Sequence, residues 1–289
     1  MFKIVEKKQL SSQIFLMDIE APRVAESALP GQFIIIKMDE RGERIPLTVC
    51  DYNREKGTVT IVIQAIGCST LKMMDLNVGD YVADFVGPLG QPSELVTGDL
   101  EEVKKKKILF VAGGLGTAPV YPQVKWLHEH GVEADVIIGA KTKELVILEE
   151  EMKKVAGNVY IATDDGSYGF HGLVTNLIEE LVNNQGKKYD EVIAIGPMIM
   201  MKFVCLTTEK LGIKTIISLN PIMVDGTGMC GACRVTVDGV TKFACVDGPE
   251  FDGHKVDFNE AMRRAGMYKD EEQKETEALQ SGCKCLGGN

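Results

Sequence analysis

The sequence predicts a β + α/β molecule: an antiparallel β-barrel, a doubly wound five-stranded parallel sheet, then a small cysteine-bearing segment and a charged tail. Three observations carry this. Short apolar or alternating runs, punctuated by Pro and Gly, fill residues 1–98. Compact apolar runs then alternate with helical patterns through residues 99–221. Three cysteines follow within sixteen residues of a glycine-dense stretch inside residues 222–258, and residues 259–289 form the tail.

Composition bounds what such a chain does. Its 289 residues suffice for two or three cores, and 45% hydrophobic content is ordinary for a folded domain. Lys and Arg number 32 against 42 Asp and Glu, a net charge of −10, which argues against general affinity for nucleic acid or an anionic membrane. The longest apolar stretch, 192–204, is too short to span a bilayer and carries Lys202. No basic-then-apolar leader opens the chain, so secretion is not expected. Eight cysteines without a leader point to a reducing cytoplasm, where thiols serve metals rather than disulfides.

Within residues 1–98, strand-like runs at 3–6, 14–19, 33–38, 58–64 and 81–86 are separated by Pro30-Gly31, Gly57, Gly79 and Gly87-Pro88. That spacing reads as a small antiparallel barrel. Two segments in it suit a ligand. In Arg44-Ile45-Pro46-Leu47-Thr48, the arginine suits a diphosphate, the proline stiffens an edge and the threonine offers a hydroxyl beside a flat group. In Gly67-Cys68-Ser69-Thr70, small residues and hydroxyls at a helix start suit a phosphate. A solvated surface Arg44 and an ordinary N-cap at Ser69 and Thr70 stay open as alternatives.

The charged run 101–107 marks a boundary. The apolar run 108–112 then meets Gly113, Gly114, Gly116, Thr117, Ala118 and Pro119, and a helical pattern follows over 120–130. Strand, glycine turn and helix N-terminus together make a phosphate-binding arrangement. Further strands are expected at 134–138, 159–162, 191–195 and 214–218, with helices near 145–155, 173–182 and 198–211. Ligands of such sheets sit at the carboxyl ends of the strands, where the 113–119 turn, the 163–167 loop and Gly196-Pro197 all fall. Asp164 or Asp165 suits ribose hydroxyls and would repel a 2′-phosphate, with a plain turn through Gly166 as the alternative. The lack of Lys or Arg between 162 and 171 favours NAD. Residues 198–201 read as helix core, as do Cys50, Cys68 and Cys205 as buried thiols.

The cysteine stretch carries the most specific chemistry. Asp225 stands five positions before Cys230, followed by Cys233 and Cys245, with glycines at 226, 228 and 231. Thiolates suit soft metals, and glycine turns bring backbone N–H groups close to a bound anion. An iron–sulfur cluster on these four residues is expected over a structural zinc ion on the same four, or buried thiols without metal. The tail from 259 to 279 is a helix or arm lying on another chain, or disordered, and Cys283 and Cys285 read as terminal free thiols.

Together these motifs resemble the ferredoxin–NADP reductase superfamily over residues 1–258. Within it they are most similar to the electron-transfer subunits of dihydroorotate dehydrogenase and of NADH-dependent ferredoxin:NADP oxidoreductase, or sulfide dehydrogenase. The resemblance implies that Arg44-x-Pro46-Leu47-Thr48 binds FAD, with Arg44 on the diphosphate and Thr48 near flavin N5. It implies Gly67 to Thr70 as a second FAD phosphate segment. Gly113 to Pro119 would be the nicotinamide dinucleotide turn, with Asp164, Asp165 and Gly166 and Gly196, Pro197 and Met198 as its companions. Asp225, Cys230, Cys233 and Cys245 would hold a [2Fe–2S] cluster.

Three departures stand out. Dihydroorotate-linked subunits have cysteine at the first ligand position, whereas Asp225 fits the ferredoxin:NADP oxidoreductase subunit. Ile195 stands where many reductases carry cysteine. The chain runs on into the cluster segment instead of ending in an aromatic residue over the flavin. The implied activity is an oxidoreductase subunit passing electrons from NADH through FAD to the cluster. Its implied receiver is a larger partner in a heterodimer, with its own FAD and [4Fe–4S] clusters, reaching ferredoxin by electron bifurcation. No catalytic side chain is expected. An NAD-linked outlet for dihydroorotate oxidation and a non-redox, zinc-bearing binding module are the alternatives.

Overall fold

Alternating apolar residues at period two build the first sheet of the computed structural model, which describes residues 1–281, so that Cys283 and Cys285 lie outside it. Its strands are β1 (Phe2–Gln9), β2 (Ile14–Glu20), β3 (Phe33–Lys37), β4 (Ile45–Asn53), β5 (Thr58–Gln64), β6 (Tyr81–Val82) and β7 (Asp84–Leu89). They pair antiparallel in the order β6-β1-β2-β5-β4-β3-β7 around Phe15, Met17, Ile34, Ile36, Ile61 and Ile63. Residues 45–48 of β4 pair with β3, and the stretch from Val49 onward pairs with β5. Pro46 therefore sits where β4 has a neighbour on one side only, a place that tolerates a missing N–H.

The second sheet holds β8 (Ile108–Gly113), β9 (Asp135–Ala140), β10 (Asn158–Thr163), β11 (Phe170–His171), β12 (Glu191–Ile195) and β13 (Lys214–Ser218). Residues beyond 221 add the hairpin β14 (Arg234–Val237) and β15 (Val240–Phe243), and the short strand β16 (Glu250–Asp252). The order is β11-β10-β9-β8-β12-β13-β16. All five expected strands are present and parallel, and two short edges extend them: β11 parallel to β10, and β16 antiparallel to β13. The strand order turns back between β8 and β12, the place where such sheets bind ligands.

One local expectation is corrected, and for the tail, helix replaces disorder. The helix expected near 145–155 shrinks to Glu149–Lys153, because Leu148 takes a left-handed φ of 55° just before it. The charged tail forms helices Phe258–Ala265 and Lys269–Gln280. Asp257 caps the first by accepting from the N–H groups of Asn259 and Glu260, both at 3.0 Å. That helix packs on β14 and on helix Met198–Lys210, and the second touches helix Cys68–Asp75, so both rest on this chain.

Barrel, sheet and cysteine segment meet at Glu250 on β16. Gln123 Nε2 donates to its Oε1 at 2.7 Å, and Ser93 also hydrogen-bonds to it. The residue keeps some surface, but its carboxyl group is packed among protein atoms, and that burial pushes its pKa from 4.5 up to about 7. A raised folded value means the folded state holds the proton longer, so stability falls as pH climbs from 4.5 to about 7 and then levels off. At about 1.4 kcal/mol per unit, the loss is at most about 3 kcal/mol. Glu250→Gln is expected to lack this fall. Urea midpoints across that window check it, and parallel pH slopes in the two proteins would exclude a neutral Glu250.

Candidate functional site

The turn after β8 is shaped by close approach. Gly116 has an ordinary φ of −59°, but a Cβ there would lie 2.0 Å from the Ile195 carbonyl oxygen on β12. Across the same gap a Cβ on Gly196 would lie 3.0 Å from Gly113 Cα. The two loops thus touch backbone to backbone. Thr117 is fully buried, and its Oγ1 donates to the Gly114 carbonyl at 2.9 Å, closing the turn at the start of helix Thr117–Glu129. Ala118 is buried, Pro119 half-buried, and Pro197 precedes helix Met198–Lys210, whose Met198 packs partly against the core. The result is a backbone cradle at a helix N-terminus that a dinucleotide fits.

At the end of β10, Asp165 accepts from Ser167 N–H at 3.0 Å and Ser167 Oγ at 2.7 Å. These bonds, the hydroxyl first, hold it below the usual carboxylate range. Asp165 and Gly166 thus form the turn; both aspartates are exposed, and Asp165 is the one engaged by Ser167. The local sequence lacks cations, but the fold supplies one. Lys143 N–H, from the loop after β9, donates to Ser167 Oγ at 2.9 Å, and its Nζ lies 5.1 Å from the Tyr168 ring. Absence of Lys or Arg over 162–171 is therefore no guide to what surrounds this loop.

On the barrel, β4 is the link. Directly opposed strand residues share a face. Thr48 opposes Phe33, and Pro46 opposes Ile35, while Ile45 and Leu47 pack inward. Phe33 and Ile35 pack with Met223, Cys233 and Cys245. Pro46 and Thr48 therefore lie on the face that carries the cysteine loop, and Leu47 offers that face only its backbone. Further along, Cys50 packs with Ala118 and Leu115 of the glycine turn, and Lys125 pairs with Asp51 at 2.8 Å. One strand thus spans from the glycine turn to the cysteines.

Arg44 is half-buried, and its Nε donates to the Val224 carbonyl at 2.7 Å, one residue before Asp225. Gly67 opens helix Cys68–Asp75, where Thr70 Oγ1 accepts from the N–H groups of Ile66 and Gly67, both at 3.1 Å. The N-cap is thus Gly67, and Thr70 serves the helix start from the third helical position rather than as the cap itself. Ser69 instead donates to the Glu43 carboxylate, a neighbour the motif does not announce. Cys50 and Cys205 are buried as expected, whereas Cys68 is only half-buried at the helix start.

The cysteine loop is built by glycine. Gly226 takes a left-handed φ of 77° and a Cβ there would strike Leu89 of β7 at 2.6 Å, so the loop lies flat on the barrel. Asp225 accepts from Thr227 N–H at 2.9 Å and Cys230 N–H at 2.8 Å. The Thr227 bond, then the Cys230 bond, keep it ionised below the usual range. Cys233 and Cys245 are buried with their sulfurs 3.2 Å apart. Gly228 N–H points at the Cys245 sulfur, and Ala232 N–H reaches Cys230 Sγ at 3.5 Å.

Burial first, then the Cys233 thiol, push Cys245 up to about 12, so metal uptake here releases protons. Among the described residues no three His, Cys, Asp or Glu side chains converge on the position of one ion. What fits a cluster is the donor chemistry: a close thiol pair, a third thiol, an ionised carboxylate and N–H groups aimed at sulfur. Nearby, Arg234 Nη1 donates to the Gly231 carbonyl at 3.1 Å and Arg264 Nη2 to the Ala232 carbonyl at 3.0 Å. Neither arginine is singled out by spacing, although Arg234 directly follows Cys233.

Comparison with known proteins places these features in context. Residues 220–257 match the iron–sulfur cluster binding domain of dihydroorotate dehydrogenase B. The chain is 64% identical to an uncharacterized protein of the adh 3′ region of Clostridium beijerinckii, over 99% of both chains. It is 44% identical to a dihydroorotate dehydrogenase B (NAD(+)) electron transfer subunit homolog of Thermotoga maritima, covering 94% of this chain and 93% of that one. Among solved structures, a chain of the NADH-dependent reduced ferredoxin-NADP oxidoreductase, studied for flavin-based electron bifurcation, superposes with a TM-score of 0.89. It is 42% identical and the match covers 97% of this chain and 98% of that one. Phthalate dioxygenase reductase shares the fold at a TM-score of 0.54 and 15% identity, over 82% of this chain and 85% of that one.

Proposed function

The chain belongs to the family of dihydroorotate dehydrogenase B electron-transfer subunits, built on a ferredoxin–NADP reductase fold, and from that premise we propose how its residues divide the work. It is an oxidoreductase subunit that uses NAD(H), FAD and an iron–sulfur cluster and serves a larger partner. The observation that supports the division is the outer face of β4, which meets the glycine turn at one end and the cysteine loop at the other. A flavin held there would supply the conversion between a two-electron hydride from the nicotinamide and two single electrons for the cluster.

The residues' own task is placement. Gly113, Gly114 and Gly116, with Thr117, Ala118 and Pro119, receive the dinucleotide phosphates. Gly196, Pro197 and Met198 border the nicotinamide end. Asp164 accepts the ribose hydroxyls, on a turn formed by Asp165 and Gly166. Arg44 and the helix start at Gly67, Cys68, Ser69 and Thr70 hold the FAD phosphates, with Ser69 released from Glu43. Pro46, Thr48 and the backbone of Leu47 line the flat face. Asp225, Cys230, Cys233 and Cys245 ligate a [2Fe–2S] cluster.

Residues 1–98, 99–221 and 222–258 serve as the FAD, NAD and cluster units, and 259–289 as a subunit contact. The partner is a larger subunit with its own FAD and [4Fe–4S] clusters, forming a heterodimer that exchanges electrons with ferredoxin by bifurcation. Similarity to the ferredoxin-NADP oxidoreductase chain and the carboxylate at 225 support this over a dihydroorotate-linked outlet, which the family membership favours as second reading. Anaerobic reconstitution tests it. The chain is expected to take up FAD, iron and sulfide, to be reduced by NADH faster than by NADPH, and then to show a rhombic paramagnetic signal. A colourless protein with stoichiometric zinc would overturn it.

A further inference from the structure

Arg264 lies in the last turn of helix Phe258–Ala265, and its side chain reaches across to the loop between Cys230 and Cys233. One donor is spent on the Ala232 carbonyl at 3.0 Å, but its Nε is buried with no hydrogen-bond partner. Arg234 grips the adjoining Gly231 carbonyl at 3.1 Å. Among the described residues neither guanidinium pairs with a carboxylate, in a chain whose acidic groups outnumber its basic ones. A partly buried cation with an unpaired donor is costly unless an anion completes it. The loop that both arginines hold carries Cys230, Cys233 and the ionised Asp225, with Cys245 against Cys233 from beyond the next hairpin, and all four are anionic ligands once metal is bound.

We propose that Arg264, assisted by Arg234, is the counter-cation of the cluster at Asp225, Cys230, Cys233 and Cys245 and raises its reduction potential. This rests on the cluster assignment made above. Gaining an electron makes the cluster and its ligands one charge more negative. A fixed positive charge nearby stabilises the reduced form more than the oxidised form, and the potential of such centres follows local charge and hydrogen bonding. The two arginines bond consecutive carbonyls of the ligand loop, Arg264 from a partly buried position and Arg234 from the exposed surface, so the Arg264 charge is the better held of the two. Arg264 is thus a positioning residue that biases the single-electron exit toward accepting electrons from the flavin.

The test uses the full chain, reconstituted anaerobically with FAD, iron and sulfide. Iron and sulfide are counted, and the midpoint is read by a paramagnetic-resonance redox titration of wild type, Arg264→Gln, Arg264→Lys and Arg234→Gln. Arg264→Gln is expected to hold a full cluster and to shift the reduced-to-oxidised ratio about tenfold toward the oxidised form, a fall of about 59 mV for one electron. Arg264→Lys is expected to stay near wild type, and Arg234→Gln to move in the same direction by less. A full cluster with an unchanged midpoint in Arg264→Gln overturns the proposal. So does an equal fall in the Lys and Gln variants, which would trace the effect to packing. Should Arg264→Gln hold no iron, Arg234→Gln decides, and an unchanged midpoint there overturns it. A wild-type chain that takes up no iron or sulfide would instead defeat the functional reading itself.

Discussion

Replacing Cys245 with alanine is expected to abolish cluster uptake while leaving FAD binding and its reduction by NADH intact. Cys245 is 1% exposed, 3.2 Å from Cys233, and its sulfur faces the Gly228 N–H. None of the other described cysteines stands ready to replace it: Cys50 and Cys205 are buried in other clusters and Cys68 begins a separate helix. Losing a neighbouring partner of a metal ligand costs about 10- to 100-fold in affinity, so losing a ligand is expected to leave on the order of a hundredfold less bound iron. Cys245 meets the barrel through the outer-face residues Phe33 and Ile35, while the interior built from Phe15, Met17, Ile34 and Ile61 is a separate cluster, so the barrel is expected to keep its fold and its flavin. Iron and sulfide analysis beside stopped-flow bleaching of the flavin by NADH reads both halves. Undiminished iron would show that Cys245 is not a ligand.

Gly116→Ala should do the reverse, sparing the cluster and stopping electron entry. The backbone at 116 suits any residue, so the cost is collision alone: the new Cβ lies 2.0 Å from the Ile195 carbonyl oxygen and 2.7 Å from its carbon. Neither atom belongs to a flexible side chain. The turns after β8 and β12 must separate, which is expected to cost about 3 kcal/mol and to splay the cradle that receives the dinucleotide. Gly114→Ala is the contrast, since its φ is 53° but its Cβ would meet nothing within 4 Å. That change is expected to cost only about 1 kcal/mol of backbone preference. Thermal unfolding together with NADH-driven flavin reduction compares the two. Equal behaviour of both variants would show that close approach at 116 is not what shapes the turn.

How much of this was legible from residues depends on the range of the interaction. The central strands β8, β9 and β12 announce themselves as buried apolar runs such as 108–112 and 192–195, because burial on both faces leaves an apolar signature. β11 and β16 have two and three residues and no pattern of their own; they exist because an edge is there to pair with. Leu148 looks like a helix residue and instead breaks the helix. In the site, glycine turns and cysteine spacing are local and were visible. Lys143 beside Ser167, Glu43 beside Ser69, Arg264 beside Ala232 and Glu250 beside Gln123 join residues 24 to 127 positions apart, which no local pattern encodes. Cys68 was misjudged because thiols are usually buried, whereas this one opens a helix.

The pairing of β16 with β13 gives the cysteine segment a second duty. A chain cut after 221 would lose the proposed cluster ligands and also leave β13 as a bare margin, its N–H and C=O groups free to recruit strands from other molecules. The segment that matches a cluster-binding domain therefore doubles as a hem for the parallel sheet.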